Sequence, residues 1–436
     1  MGDSPFVESK SLPEASSGNG ANAFIHKWRS TVPLFKGSPG IDHLSGTEGD
    51  DTFIGFAGAD VFDGFGGSDF ADYTSSPASV QVTIGIASFG GDAQGDVFHS
   101  IENVIGSKFV DVLNGDTGAN RLNGGEGDDF LFGNGDDDVL TGGFGEDRLS
   151  GGAGIDTADY STASGVGVRL DLESTIEGFG GDAFGDDLNS IEHIVGSSFG
   201  DSIGIGNLAG FKLDAGGGND VIGGKAGSQT INGQDGNDRL DGGAGGDTLD
   251  GGNGIDTLDY THSTLPVTVN LSTKEVSGGD AEGDTILGFE DVLGSSGGDS
   301  LTGSSVANQL AGFSGSDKLS GLGGRDSLAG GLGSDTFIYT GVSDSGVGAA
   351  LRDLVQGFSR AESDRIDLSA IDAISGGPND AFKFIDKAEF SAPGQVRFFA
   401  EGTHTIVEIN NSGAGGAEMQ IELNNLVTFQ SVDFIL

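Results

Sequence analysis

A nine-residue period constrains this chain more than any other feature. From Gly37 the sequence reads GSPGIDHLS, GTEGDDTFI, GFAGADVFD, GFGGSDFAD, with Asp at the sixth place of each unit (Asp42, Asp51, Asp60, Asp69). The eighth place holds Leu44, Phe53, Phe62 and Ala71. A fixed short period implies stacked repeats in which no single unit buries its apolar face alone.

The register returns in three further blocks. The second carries Asp111, Asn120, Asp129, Asp138, Asp147 and Asp156. The third carries Asp201, an irregular unit over Gly206–Asp214, then Asp220, Gln229, Asp238, Asp247 and Asp256. The fourth carries Asp299, Asn308, Asp317, Asp326 and Asp335. In all, 18 Asp residues fall in one register. A disordered Gly-rich linker has no reason to do this.

The spacing dictates chemistry. Gly at places one, two and four lets the backbone enter φ > 0 and turn tightly. A turn lined by carbonyl oxygens and one carboxylate is a hard-oxygen site of the kind Ca²⁺ takes. Places seven to nine read as a short strand whose middle side chain points inward. Two units then complete one coil, and successive coils lie ~4.8 Å apart, the strand spacing. The expected fold is all-β: a parallel β-roll with a calcium row along each edge. Asn120 and Asn308 keep an oxygen but lose a charge. With Gln229 and the irregular unit, they predict the weakest ion binding, in the third block above all.

Composition agrees. Acidic residues number 67 against 20 basic, a net charge of −47. A chain so acidic self-repels unless a cation neutralises it, which argues against nucleic acid or an anionic membrane as partner. Cys is absent, so metal is the cross-link left to an extracellular fold. No apolar run approaches the ~20 residues of a membrane span. The first residues lack the apolar core of a signal peptide, and Phe6 stands where a myristoylation motif wants Ser or Thr.

The units fit the GGxGxDxUx pattern, so the chain resembles RTX (hemolysin-type) calcium-binding repeat proteins over residues 37–338, interrupted by three inserts. The inserts are related. Each follows a Tyr (Tyr73, Tyr160, Tyr260); the fourth Tyr, Tyr339, ends the last block. The position predicts a ring that covers the exposed end of the apolar row. Each insert opens with alternation that predicts a half-buried strand (Val80, Val82, Ile84; Val166, Val168, Leu170; Val267, Val269, Leu271). GGDAxGD follows (Gly90–Asp96, Gly180–Asp186, Gly278–Asp284), then an apolar-Glu segment at Glu102, Glu192 and Glu290. GGDAxGD reads either as a further calcium site through Asp92, Asp96 and their equivalents, or as a turn. Insert plus roll resembles the R-modules of alginate C-5 epimerases and of RTX proteins without enzymatic domains.

Beyond Tyr339 the Gly content falls, and LRDLVQGF, DRIDLSAID and the closing Asp433-Phe434-Ile435-Leu436 follow. This resembles the C-terminal domain of serralysin-type metalloproteases, which implies a β-rich domain carrying a type I secretion signal. The domain reading is a tail over 1–36, a roll block over 37–73, insert-plus-roll units over 74–160, 161–260 and 261–339, and the C-terminal domain over 340–436. Lys27-Trp28-Arg29 in the tail either docks on the first coil or frays.

No catalytic residues are assigned. The six His (His26, His43, His99, His193, His262, His404) form no HExxH. G-x-S-x-G occurs at Gly196–Gly200 and Gly294–Gly298, in roll sequence rather than in a strand–elbow–helix. The expected function is a secreted, non-enzymatic calcium-binding protein with a structural or interaction role, its partners calcium, the type I export machinery and an extracellular polysaccharide or host surface. The competing classes are a pore-forming RTX protein and a carbohydrate-binding relative of the epimerase modules.

Overall fold

The computed structural model describes residues 32–86, 88–172, 177–178, 180–376, 380–413 and 415–436. Lys27-Trp28-Arg29 and the rest of the first 31 residues lie outside them.

Nearly every nonapeptide gives one three-residue strand at places seven to nine, as in His43–Ser45, Thr52–Ile54 and Val61–Asp63. Strands two units apart pair in parallel and in register: Leu44 faces Phe62, and Leu122 faces Leu140. The eighth-place side chains therefore stack inward. Leu113, Leu122, Leu131, Leu140 and Leu149 are all buried. At the N-terminal end the row is aromatic, with Phe35, Phe53, Phe62 and Phe98 in succession at ring separations of 5.3, 5.6 and 5.6 Å.

Glycine has two separate duties in the turn. At places two and four the backbone takes φ > 0, as at Gly143 (φ 99°) and Gly145 (φ 149°). Place two tolerates side chains there too: Phe56, Phe65, Asn134, Gln234, Phe313 and Leu322 all have positive φ. Place one does not need positive φ, contrary to expectation. It needs empty space. A Cβ on Gly124 would collide with Asp129 Oδ2 and come within 2.7 Å of the Gly142 carbonyl oxygen of the next coil.

The inserts do not interrupt both faces. One ladder of twelve strands runs from Leu34–Lys36 to Thr285–Leu287. It crosses the first two inserts because Asn103–Ile105 stacks on Phe70–Asp72, and His193–Val195 on Thr157–Asp159. At the third insert the opposite face is continuous, through Asp291–Leu293 on Thr257–Asp259. On the other face of each insert one stack ends and a new one begins. Gln81–Thr83 starts one by pairing with Val112–Asn114, and Thr268–Asn270 another by pairing with Ser300–Ser304. The alternating residues face inward as expected, except Val166, which is exposed.

The C-terminal segment is β-rich and continues the roll. Asp353–Gln356 stacks on Ser327–Ala329, and Arg365–Asp367 on Thr336–Ile338. The last strand, Phe434–Ile435, pairs with Arg365–Asp367. A meander of Gln395–Glu401, His404–Asn410 and Met419–Leu423 joins through Asp353–Gln356. Phe358, Phe384, Phe398, Phe429 and Phe434 form its aromatic core.

Candidate metal centre: two rows of buried carboxylates

All 18 sequence-assigned Asp residues lie in two rows, one along each edge of the roll. The rows are wired by one recurring hydrogen bond. The backbone N–H of a sixth-place residue donates to Oδ1 of its counterpart one coil on. On the first edge, Asp42 donates to Asp60 (2.7 Å), Asp111 to Asp129 (2.7 Å) and Asp129 to Asp147 (2.8 Å). Asp201, Asp220, Asp238 and Asp256 follow in order, each N–H donating to the next carboxylate at 2.7 to 2.8 Å. The second edge carries Asp51 to Asp69, Asp138 to Asp156, and Asp299 to Asp317 to Asp335.

Oδ1 is thus satisfied along the rows, while the other oxygen mostly is not. Oδ2 of Asp60, Asp69, Asp129, Asp138, Asp147, Asp156, Asp220, Asp238, Asp247, Asp256, Asp317, Asp326 and Asp335 is buried with no hydrogen-bond partner. An orphaned buried carboxylate oxygen is costly, so a recurring set of them demands a partner. The Oδ2 atoms sit in the cradle that a place-one Cβ would fill, against the carbonyl oxygen of the next coil. No three acidic or His side chains among the described residues close on one point. An ion held here draws mainly on carbonyl oxygens, one carboxylate per turn, and that donor set suits Ca²⁺. The first members of rows differ: Ser107 N–H and Ser197 N–H reach back to Oδ2 of Asp111 (2.5 Å) and Asp201 (2.7 Å).

Electrostatics give the same demand. Burial pushes Asp129 up to about 8, with the neighbouring Asp147 and Asp111 charges adding to it. Burial likewise raises Asp138, Asp220 and Asp317 to about 7. Without a cation, these four carboxyls hold protons near neutrality.

The polar substitutes close their sites with their own N–H groups. Asn120 Nδ2 donates to the Glu102 carbonyl (2.8 Å), and Asn308 Nδ2 to the Glu290 carbonyl (2.6 Å). Gln229 Nε2 takes the carbonyls of Leu208 and Ala226 (3.1 and 2.9 Å). The irregular unit places buried Phe211, a core residue, in the same edge. The third block is therefore depleted on one edge only; Asp201 to Asp256 on the other edge is unbroken.

Eight further residues join the rows, three of them (Asp96, Asp186 and Asp284) offered by the sequence as one of two readings of GGDAxGD and five of them missed. Asp96, Asp186 and Asp284, the last residues of GGDAxGD, accept the N–H of Asp60, Asp147 and Asp247 (2.8, 2.9 and 2.9 Å). Glu102, Glu192 and Glu290 accept from Asp69, Asp156 and Asp256, each at 3.0 Å. Asp353 and Asp364 carry both rows into the C-terminal segment by accepting from Asp326 and Asp335 (2.9 and 3.0 Å). Each insert therefore closes one row with an Asp and spans the other with a Glu. The recurrence of both motifs was visible in sequence, but the extra chain length hid the shared register.

The tyrosines do not cover an exposed end, because the roll continues past each of them. All four are buried, and the hydroxyls of three reach the closing Asp. Tyr73 donates to Asp96 Oδ2 (2.8 Å), Tyr160 to Asp186 Oδ2 (2.9 Å) and Tyr260 to Asp284 Oδ2 (2.9 Å). GGDA itself forms a single 3₁₀ turn. Both G-x-S-x-G copies are ordinary roll turns that begin a row at Asp201 and Asp299.

Comparison with a known family agrees with this geometry. The family model for the RTX calcium-binding nonapeptide repeat, in four copies, matches residues 36–71, 105–140, 124–158, 223–258, 293–328, 302–337 and 311–344. No curated protein matches the chain. Among solved structures, 35 chains match. One is the solution structure of the AlgE6R3 subunit from the Azotobacter vinelandii Mannuronan C5-epimerase, 28% identical over 31% of this chain and 69% of that chain, with a TM-score of 0.23. The stretches so matched are RTX calcium-binding nonapeptide repeats, and calcium is the ion such repeats take.

Proposed function

We propose that this is an exported protein that remains unfolded where calcium is scarce and becomes a rigid extracellular scaffold where calcium is plentiful. The observation that carries the reading is the recurring buried Oδ2 without a partner. In a cytosol poor in free calcium the rows repel, and the roll is not the favoured state. Outside, ion binding becomes folding free energy. Export through type I machinery rests on the resemblance of the C-terminus. Removing Val432–Leu436 is expected to trap the chain inside producing cells; undiminished export would refute that part.

The role outside is structural or interactive. Place-five residues such as Asp50, Asp128 and Asp137 are exposed along the turns. A surface this acidic can share calcium with an acidic polysaccharide, joining chains that would otherwise repel. No helix among the described residues is long and apolar enough to cross a membrane. Calcium-folded protein tested against a panel of bacterial and plant polysaccharides is expected to retain acidic ones in calcium and release them in EGTA. Equal retention of neutral glycans, or none of any kind, would contradict the polysaccharide role.

A further inference from the structure

Three tyrosines occupy their closing carboxylate, and the fourth does not. Tyr73, Tyr160 and Tyr260 each donate to Oδ2 of the Asp that ends a row. At the junction with the C-terminal segment the same parts recur. Asp353 accepts the Asp326 N–H on Oδ1, as Asp96 does for Asp60. Tyr339 takes the place of the tyrosine. Yet Tyr339 Oη, Asp353 Oδ2 and Asp326 Oδ2 are all buried, and none has a hydrogen-bond partner. The three residues are 1%, 0% and 1% exposed, so bulk solvent does not reach them.

We propose that Tyr339, Asp326 and Asp353 form a divalent-cation site, taken by calcium, that fastens the C-terminal segment to the roll. It rests on the calcium reading of the rows and adds to it a site assembled from two parts of the fold. Two carboxylates and a neutral hydroxyl oxygen are hard ligands of the kind calcium takes. Asp344 adds negative charge but not a free Oδ2, because that atom accepts from Thr340 N–H (2.6 Å), the Thr340 hydroxyl (2.9 Å) and Gly341 N–H (3.0 Å). Asp353 is fixed from the other side: its N–H donates to Ser345 Oγ (2.8 Å), and Ser345 Oγ donates to the Gln420 carbonyl (2.5 Å). An ion on Asp353 is thereby linked to the meander strand Met419–Leu423. In the three insert closures the tyrosine proton does the job that the cation does here.

The test uses the full chain folded in calcium, with bound calcium counted by equilibrium dialysis. Asp353→Asn is expected to bind one ion fewer than the parent. Tyr339→Phe, which removes only the hydroxyl, is expected to weaken that ion's binding roughly tenfold. Tyr160→Phe removes a hydroxyl that donates to Asp186 Oδ2 rather than one free to ligate an ion, and is expected to lose no bound calcium. Parent-like binding by both Asp353→Asn and Tyr339→Phe would overturn the proposal, as would equal weakening by Tyr160→Phe and Tyr339→Phe. Failure of the calcium reading itself gives a different result, a parent chain that binds no calcium.

Discussion

At the residue scale, each turn is specified by what a side chain would strike. Gly145 combines φ 149° with a Cβ position that falls on the Gly127 carbonyl. Gly145→Ala is expected to cost more than ~2 kcal/mol, since strain and collision add. Gly348 has φ 97° but open space around it, so Gly348→Ala is expected to cost only the strain, ~1 kcal/mol. Denaturant melts in calcium compare the two; equal losses would contradict the packing argument. Tyr160→Phe is expected to cost about 1 kcal/mol for the lost hydrogen bond to Asp186, and Tyr160→Ala several times that through the cavity. The Asp register and the inward apolar place were legible in sequence because they repeat at fixed spacing. The second duty of glycine was not, because space between coils is a property of stacking.

At the element scale, each insert ends one carboxylate row and carries the other across. Glu102, Glu192 and Glu290 do the carrying, each accepting a backbone N–H of the row on Oε2. The third block shows what happens when the register slips: Phe211 fills the core, and Gln229 spends its amide on two carbonyls. Gln229→Asp is expected to free those carbonyls, leave an Oδ2 like that of Asp247, and raise the number of bound calcium ions. Equilibrium dialysis reads the count, and an unchanged number would show that the irregular unit alone disables the site. Sequence reading expected the weakest binding in the third block but could not see that Gln229 and the irregular unit fall on one edge. Edge membership alternates between successive units, and the irregular unit sits between two of them.

At the scale of the whole molecule, charge decides whether the roll exists. In the metal-free chain, burial raises Asp129 and Asp353 to about 8 and Asp138, Asp220 and Asp317 to about 7, above the ordinary 3.8. A carboxyl raised on folding contributes stability that is fully present below its unfolded value and is lost as pH rises through the folded one. Metal-free roll is therefore expected to be more stable at pH 5 than at pH 8. With calcium the order reverses, because protons compete with the ion for Oδ2. Melting curves in EGTA and in calcium across that range check both signs. The most direct test is far-UV circular dichroism of the full chain at pH 7.5, titrated from EGTA into millimolar calcium. The rows of unpartnered oxygens predict a largely unfolded spectrum in EGTA and a cooperative rise of β-sheet signal with calcium. The same folded spectrum in EGTA as in calcium would contradict the account.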